Sequence, residues 1–387
     1  MRLSVFVLLT SILFLSCSDD SVTNDVKIVD LDPESAQRNA DWQAVLEPNT
    51  CDIIVLETTS ESIIGDYSKI FFVGDTVIIG DSETMSVYLF DVNGKYLSKI
   101  NRVGRSRQEY MNAADFYYKD GCIWILDQSQ YKIIQYSLDG NYISSFRYGD
   151  GFNFAVLDNE VVINRGWGAS YLEKAMLEVR DLKGDLNGFQ IKTTPKDAQM
   201  YGGNYDHQLI FNVSDNGCDI LDPTSGMVYH YENGLTSTKY LIDFGNKALP
   251  YKIKRKGLEY MAEKRIAREE YVCNVNRVIE TDRYRIISFD YKEGVYYYVF
   301  DKSEDKLVWY SRNWHKVDQF GLILGHLYFD GNDVAYLEGA ALLRIMAENH
   351  KESEYTGKGL ELYKLANTLK DDDNAVLIRM KLKGNEK

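Results

Sequence analysis

Two stretches of this chain, residues 77–100 and 123–146, align without a gap at an offset of 46 residues. Each contains an apolar strand that ends in Asp, a short polar turn, a second apolar strand and an Asx-Gly turn before a last strand that begins with Tyr. Asx-Gly pairs favour the tight turns that close β-hairpins. A repeat of this period, built from short strands and hairpins, predicts a β-propeller, an all-β fold of radially arranged blades.

Weaker copies of the unit begin near residues 161, 219, 285 and 320. With a hydrophobic share of 45% the chain can bury a normal globular core, and its 29 Tyr residues suit half-buried strands. The sequence therefore predicts a six-bladed β-propeller of four-stranded antiparallel blades, spanning residues 51–387.

Two segments interrupt the strand pattern, near residues 251–272 and 340–370, and both are rich in helix-forming residues. We predict short helical insertions at these places. Propellers close their ring by placing an N-terminal strand beside C-terminal strands, which leaves no open edge. Residues 52–59 and 375–383 are the predicted partners in this closure.

The N-terminal residues predict export and a lipid anchor. Residues 1–16 have a positive start and an apolar stretch too short for a transmembrane helix, as in a signal peptide. They end in Phe14-Leu15-Ser16-Cys17, which resembles the lipobox of bacterial lipoproteins and implies that Cys17 is lipidated. The alternative is an ordinary secretory signal with an incidental Cys. Residues 17–50 then form a polar tether with a brief strand at 26–31.

The net charge of −14 argues against nucleic acid as a partner, because nucleic-acid binding needs a basic surface. The predicted partners are instead the membrane, through the lipidated N-terminus, and a glycan or a protein. The acidic run Asp19-Asp20 after Cys17 resembles export signals of lipoproteins in the Bacteroidota and implies an outer-membrane location, periplasmic or surface-exposed. The alternative is retention at the inner membrane, for which lipoprotein signals elsewhere also use Asp at this place.

The whole arrangement resembles the six-bladed β-propeller lipoproteins of the Bacteroidota, which are loosely NHL- or TolB-like. Beside the lipobox, the matching motifs are Leu56-Glu57-Thr58, Ile64-Gly65, the hairpin at residues 87–100 and the linker at residues 104–116. The middle of this linker departs from the family pattern and retains only its Gly, Glu and Tyr. The resemblance implies the fold and an envelope location, and it implies little about activity.

No catalytic motif is present: the five His residues lack metal-binding spacing, and there is no nucleophile elbow or phosphate-binding loop. Asp81, Asp127, Asp222 and Asp290 end comparable strands in different blades. These carboxylates either converge on Ca²⁺ in the central channel or cap turns by accepting backbone N–H bonds. Because the same residue recurs with the repeat, we favour turn capping; no cofactor is predicted, with calcium as the alternative.

Candidate ligand-binding residues lie in irregular loops. Guanidinium groups can hold a carboxylate or sulfate in a bidentate manner, and an exposed Trp ring can stack on a sugar or anchor a protein. The alternative roles are ion pairing with acidic neighbours and packing between blades. The candidates are Arg102, Arg105, Arg107, Tyr110, Arg165, Trp167, Trp314 and His315.

These observations predict a lipid-anchored, non-enzymatic propeller of the cell envelope that binds a glycan, a peptide or a partner protein. Two alternatives remain open at this point. One is a hydrolase or lyase that uses channel carboxylates, with or without calcium, and the other is a structural subunit of an envelope complex.

Overall fold

The computed structural model of the protein describes residues 26–36, 45–47, 51–166, 174–192, 210–214, 217–223, 225–250, 270–272, 275–292, 294–313, 328–330 and 333–384. Within these residues the strands form six sheets, which are the blades of a propeller. Two short strands come first in the chain, β1 (Ile28–Asp30) and β2 (Asp52–Val55).

Blades 1 to 3 follow in chain order, with four antiparallel strands each. Their strands are β3 (Tyr67–Val73), β4 (Thr76–Asp81), β5 (Ser86–Asp91), β6 (Tyr96–Ile100), β7 (Ala113–Lys119), β8 (Cys122–Asp127), β9 (Lys132–Ser137), β10 (Tyr142–Arg147), β11 (Asn153–Val156), β12 (Glu160–Asn164), β13 (Ala175–Asp181) and β14 (Leu186–Lys192).

Blades 4 to 6 complete the ring, and two α-helices lie between the last two strands of the chain. The elements are β15 (Ile210–Ser214), β16 (Gly217–Asp222), β17 (Met227–Glu232), β18 (Leu235–Asp243), β19 (Val275–Glu280), β20 (Tyr284–Tyr291), β21 (Gly294–Asp301), β22 (Lys306–Asn313), β23 (Tyr328–Asp330), β24 (Asp333–Glu338), α1 (Ala340–Asn349), α2 (Gly357–Ala366) and β25 (Val376–Lys381).

The first strand of each blade lies at the centre of the ring. Strands β3, β7, β11, β15 and β19 each contact the first strand of a neighbouring blade, and β23 contacts β3. The apolar core lies between the blades, where side chains of adjacent sheets pack against one another, such as Phe116 of β7 with Ile78 of β4. The centre of the propeller is therefore a channel walled by the six first strands.

The ring is closed by pairing between the two ends of the chain. Strand β2 pairs antiparallel with β25, from Asp52 opposite Arg379 to Val55 opposite Val376, and becomes the outermost strand of blade 6. This confirms the predicted closure between residues 52–59 and 375–383. Blade 6 therefore combines one strand from residues 52–55 with three strands from residues 328–381.

Blade 4 carries a fifth strand, because β1 pairs in parallel with the outermost strand β18. Val29 and Leu31 are buried there in the core shared by blades 4 and 5. Beyond this strand, Glu34 accepts hydrogen bonds from Tyr291 Oη at 2.5 Å and Lys292 Nζ at 2.6 Å. The hydrogen bond from Lys292 is the main cause that lowers the pKa of Glu34 to about 2. The predicted brief strand at residues 26–31 thus fastens blade 4 to blade 5.

The predicted insertion near residues 340–370 is a pair of helices, α1 and α2, which pack on each other and on blade 6. Their buried faces, which include Leu343 and Leu362, join the same core as Tyr336 and Ile378. The insertion predicted at 251–272 lies outside the described residues except for 270–272. In the described part of the chain, no helix has the length and apolar character needed to cross a membrane.

Candidate functional site

Asp81 and Asp127, the repeated acids, cap turns. The buried carboxylate of Asp81 accepts hydrogen bonds from four backbone N–H groups, at distances from 2.7 to 3.2 Å. Asp127 repeats this pattern 46 residues later in the chain, and its donors are the N–H groups of Met111, Asn112, Ser129 and Gln130. The turn-capping interpretation of these two residues is therefore confirmed.

The other two strand-terminal acids have different surroundings. Asp222 accepts a 2.6 Å hydrogen bond from the Ser225 hydroxyl, again within a turn. Asp290 is exposed and accepts a hydrogen bond from the Asn276 side chain at 2.8 Å. Among the described residues, no group of three His, Cys, Asp or Glu side chains could hold a metal ion. Each of the four acids thus has a hydrogen-bond partner in or next to its own blade.

The Arg-rich linker between blades 1 and 2 is an ordered loop. Arg102, Arg105 and Arg107 are exposed, and Arg102 Nη2 donates to the carbonyl of Gly140 at 3.3 Å. Tyr110 is fully buried, and its hydroxyl donates to the carbonyl of Met85 at 2.8 Å. Burial raises the pKa of Tyr110 to about 12. The Tyr110 ring thus anchors the loop to blade 1, and its role as a ligand contact stays a prediction.

Arg165 is also buried, with 6% of its surface exposed. Its Nε lies 3.7 Å from Glu178 Oε2, and its guanidinium lies 4.8 Å from the centre of the Phe189 ring. These contacts pack Arg165 within blade 3, and its role as a ligand contact stays a prediction. Trp167, Trp314 and His315, together with the proposed lipidation site Cys17, lie outside the described residues.

Side chains from all six blades meet in the central channel, which encloses a cavity of about 300 Å³. A volume near 300 Å³ is at the lower end of the range for small-molecule sites. Its walls combine aromatic rings, amide groups and two cationic side chains. The lining residues are Ser68, Lys69, Ile70, Phe71, Tyr117, Asn153, Phe154, Ile210, Phe211, Asn212, Val213, Arg277, Ile279 and Tyr328.

Lys69 occupies one side of this channel, and its ammonium group has a fixed position. Lys69 Nζ lies 2.8 Å from Asp115 Oδ1, and 5.6 and 5.9 Å from the ring centres of Tyr117 and Phe154. The carboxylate of Asp115 also accepts the backbone N–H groups of Phe116 and Phe154. Since 31% of the Lys69 side chain is exposed, it can still donate to a ligand in the channel.

Arg277 of blade 5 faces the same channel beside Tyr328 of blade 6. The guanidinium carbon lies 5.4 Å from the centre of the Tyr328 ring, within the range of a cation–π contact. Burial lowers the pKa of Arg277, whereas the neighbouring Tyr328 and Tyr297 raise it. An Arg side chain stays protonated at any physiological pH, so this wall of the channel carries a positive charge.

A larger cleft, of about 570 Å³, lies among turns of blades 2 to 4, but its acidic side chains already have partners. Asp158 forms a 2.7 Å ion pair with Lys119. Glu160 accepts hydrogen bonds from Tyr231 at 2.6 Å and Asn187 at 2.8 Å. We therefore regard the channel as the better candidate site.

The channel residues were missed in the sequence because they lie on first strands, which the aligned repeat does not include. Lys69 and Arg277 are separated by more than half of the chain. The signal in the sequence was weak: in both strands a charged residue lies between a polar and an apolar residue, as in Ser68-Lys69-Ile70 and Asn276-Arg277-Val278.

The family model described as "Domain of unknown function (DUF4934)" matches residues 43–381. This range covers the propeller from just before β2 to the end of β25. No curated protein matches the chain.

Two solved structures share the fold. One, from Bacteroides fragilis, is described as an exported protein; it is 16% identical, has a TM-score of 0.73, and the match covers 92% of this chain and 100% of that one. The other, from Bacteroides vulgatus, is described as a member of the DUF4221 family; it is 10% identical, has a TM-score of 0.50, and the match covers 87% of this chain and 99% of that one. At these identities the similarity shows the fold alone.

Proposed function

The chain belongs to the DUF4934 family, a family of unknown function, and we propose that it is a non-enzymatic, lipid-anchored propeller of the cell envelope that binds a glycan in its central channel. The observation that carries this proposal is the channel lining. Aromatic rings, side-chain amides and cationic groups from six separate strands meet around one cavity. Small-molecule sites have this composition, with apolar walls and a few polar groups that orient the ligand.

A glycan suits the aromatic and amide groups of these walls. Sugar rings present an apolar face that stacks on aromatic rings, and Tyr117, Phe211 and Tyr328 offer such faces. Sugar hydroxyl groups need partners that both donate and accept, and the side-chain amide of Asn212 can do both.

Export and anchoring are supported by the sequence. The residues before Cys17 resemble a lipobox, and the similar structure from Bacteroides fragilis is described as exported. Two or more acyl chains at Cys17 would hold the protein stably on the membrane. We place it on the outer membrane.

The exposed loops are the proposed second contact for ligands longer than the channel. Arg105 and Arg107 are exposed in the first linker, and Trp167, Trp314 and His315 remain candidates outside the described residues. This loop contribution is separable from the channel contribution, because the two sets of residues do not overlap.

The test is a glycan array probed with the full chain in detergent. We expect binding that Asn212→Ala and Tyr328→Ala each reduce by about tenfold or more, as expected for loss of a central contact of a ligand site. Trp167→Ala and Trp314→Ala should weaken only longer glycans. The control is Asn367→Ala, which changes an exposed Asn at the end of α2.

The channel assignment would be wrong if glycan binding survived both channel substitutions but disappeared in the Trp variants. Capture of a peptide or protein by the wild type, with no glycan bound, would contradict the glycan proposal and favour the interaction-module or complex-subunit alternatives. Thermal melts of each variant confirm that a loss of binding is not a loss of folding.

A further inference from the structure

We infer that the glycan bound in the channel is acidic, and that it carries a carboxylate recognised by Arg277 with support from Lys69. This inference rests on the proposed function and adds the chemical class of the sugar. It predicts a hexuronic acid, or a sugar of equivalent charge, as the unit that enters the channel.

The first argument is the contrast between the channel and the rest of the protein. The chain has a net charge of −14. Among the described residues that line the channel there are two cations, Lys69 and Arg277, and no carboxylate. A narrow cleft with low-dielectric walls concentrates the field of the charges that line it, and thus attracts ligands of opposite sign. Cationic side chains at the centre of an acidic protein favour an anionic ligand.

The second argument is the state of Asp115, the carboxylate closest to Lys69. Its two oxygens accept bonds from Lys69 Nζ and from the backbone N–H groups of Phe116 and Phe154. Only 7% of its side chain is exposed. Asp115 therefore holds the Lys69 ammonium group in place, and the partly exposed Lys69 side chain lines the cavity.

The third argument is the geometry of Arg277 and Tyr328. A guanidinium group binds a carboxylate through two parallel hydrogen bonds, which sets the orientation as well as the charge of the ligand. The Tyr328 ring beside it supplies a face for the sugar ring that bears this carboxylate. Asn212, on β15, also lines the channel, and its side-chain amide can form hydrogen bonds with the sugar hydroxyl groups. The charge of Arg277, the ring face of Tyr328 and the amide of Asn212 together suit an acidic sugar.

The experiment is isothermal titration calorimetry of the full chain with a panel of hexuronic-acid disaccharides, each compared with its methyl ester. The ester keeps the size and the hydroxyl groups but loses the charge. We expect at least one acid to bind about tenfold or more tightly than its ester, and this preference to decrease at high salt.

Two substitutions of Arg277 test the residue assignment. Arg277→Gln should abolish the preference for the acid, and Arg277→Lys should keep part of it, because Lys retains the charge but not the bidentate geometry. The matched control is Arg344→Gln on α1, where the wild-type side chain forms ion pairs with Glu348 and Asp371 far from the channel lining. Circular dichroism melts confirm that each variant folds.

The outcomes separate the two proposals. Equal affinity for acids and esters, with both lost in Asn212→Ala, would overturn the acidic class and leave glycan binding in place. An acid preference that persists in Arg277→Gln would overturn the role of Arg277. Inorganic sulfate that competes as strongly as the disaccharide would show a simple anion site and overturn the sugar class. No binding of any glycan to the wild type would overturn both proposals.

Discussion

The side-chain amide of Asn374 donates a hydrogen bond to the carbonyl of Ser62 at 2.8 Å and so joins residues 312 positions apart in the chain. The same side chain donates to the carbonyl of Glu57 at 3.0 Å and accepts the N–H of Ile64 at 3.0 Å. Asn374 is 4% exposed and lies just before β25. It connects the last blade to the segment that leads into blade 1.

We expect Asn374→Ala to lower the free energy of unfolding by about 3 kcal/mol, because it removes three hydrogen bonds, of which the one to Ser62 is fully buried. Urea denaturation followed by circular dichroism measures this change. Asn367→Ala removes an exposed Asn whose amide bonds only the carbonyl of Tyr363, and it should change stability by less than about 0.5 kcal/mol. Equal effects of the two substitutions would contradict a special role for Asn374 in closure.

Deletion of residues 374–383 should abolish cooperative folding. The deletion removes β25, which is the only strand between β2 and β24 in blade 6 among the described residues. Both partners would then expose unpaired edges, and the ring would lose its closure. A shortened chain that kept the melting curve of the full chain would show that the propeller is stable without this pairing.

Gly94 and Gly140 occupy the same turn in two successive repeats, with φ of +84° and +75°. At both positions the positive φ alone should make substitution by Ala lower the free energy of unfolding by about 1 kcal/mol, because a side chain is strained there. At Gly94 a Cβ would also lie 2.0 Å from the carbonyl oxygen of Val55, whereas at Gly140 its nearest neighbour would be 3.6 Å away. We therefore expect Gly94→Ala to cost about 3 kcal/mol or more in unfolding experiments. A smaller loss at Gly94 than at Gly140 would contradict the tight contact with the closing strand.

The fold could be predicted because its signals are local and periodic. The repeat identified the hairpins of blades 1 and 2, and it extends to backbone strain: Met85 has φ of +50°, and Tyr131, 46 residues later, has φ of +52°. The pairing of β2 with β25 and the helices near residue 340 could also be predicted from the strand and helix patterns of the sequence. The parallel pairing of β1 with β18 could not, because a three-residue strand carries no information about its partner.

The candidate site could not be predicted from local patterns, because it is formed by the convergence of single residues from six strands. The predicted ligand contacts were charged and aromatic residues in irregular loops. Two of them, Arg165 and Tyr110, are buried, where they pack within a blade and anchor a loop. Lys69 and Arg277 lie inside strands, where a charged side chain is usually taken as solvent-facing. Only the ring topology shows that these strands surround a channel.

Asp81 and Asp127 allow a direct comparison between turn capping and calcium binding. We expect Asp81→Asn and Asp127→Asn each to lower stability by about 1–3 kcal/mol, because the amide nitrogen cannot accept the backbone N–H bonds. Asp290→Asn, at an exposed residue, is the control and should have little effect. A metal chelator should leave the melting temperature of the wild type unchanged. A chelator that destabilises the wild type but not Asp127→Asn would instead favour a calcium site at this carboxylate.

Glu338 ends β24 directly before α1, and it makes the stability of blade 6 depend on pH. The residue is 8% exposed, and this burial raises its pKa from 4.5 to about 7, against the lowering effect of the Gly339 backbone N–H. A carboxyl group whose pKa is higher in the folded state than in the unfolded state stabilises the fold fully below pH 4.5. This contribution is lost as the pH rises from there to about 7, because the buried group must then ionise.

The shift from 4.5 to about 7 corresponds to a loss of about 3 kcal/mol across this pH range. Glu338→Gln keeps the shape of the protonated carboxyl group but cannot ionise. We therefore expect the variant to gain about 3 kcal/mol relative to the wild type between pH 4.5 and pH 8, measured by urea denaturation at each pH. Glu348→Gln, at an exposed position on α1, is the control and should follow the wild type at both pH values. Parallel pH profiles of wild type and Glu338→Gln would mean that Glu338 ionises in the folded protein as it does in the unfolded chain.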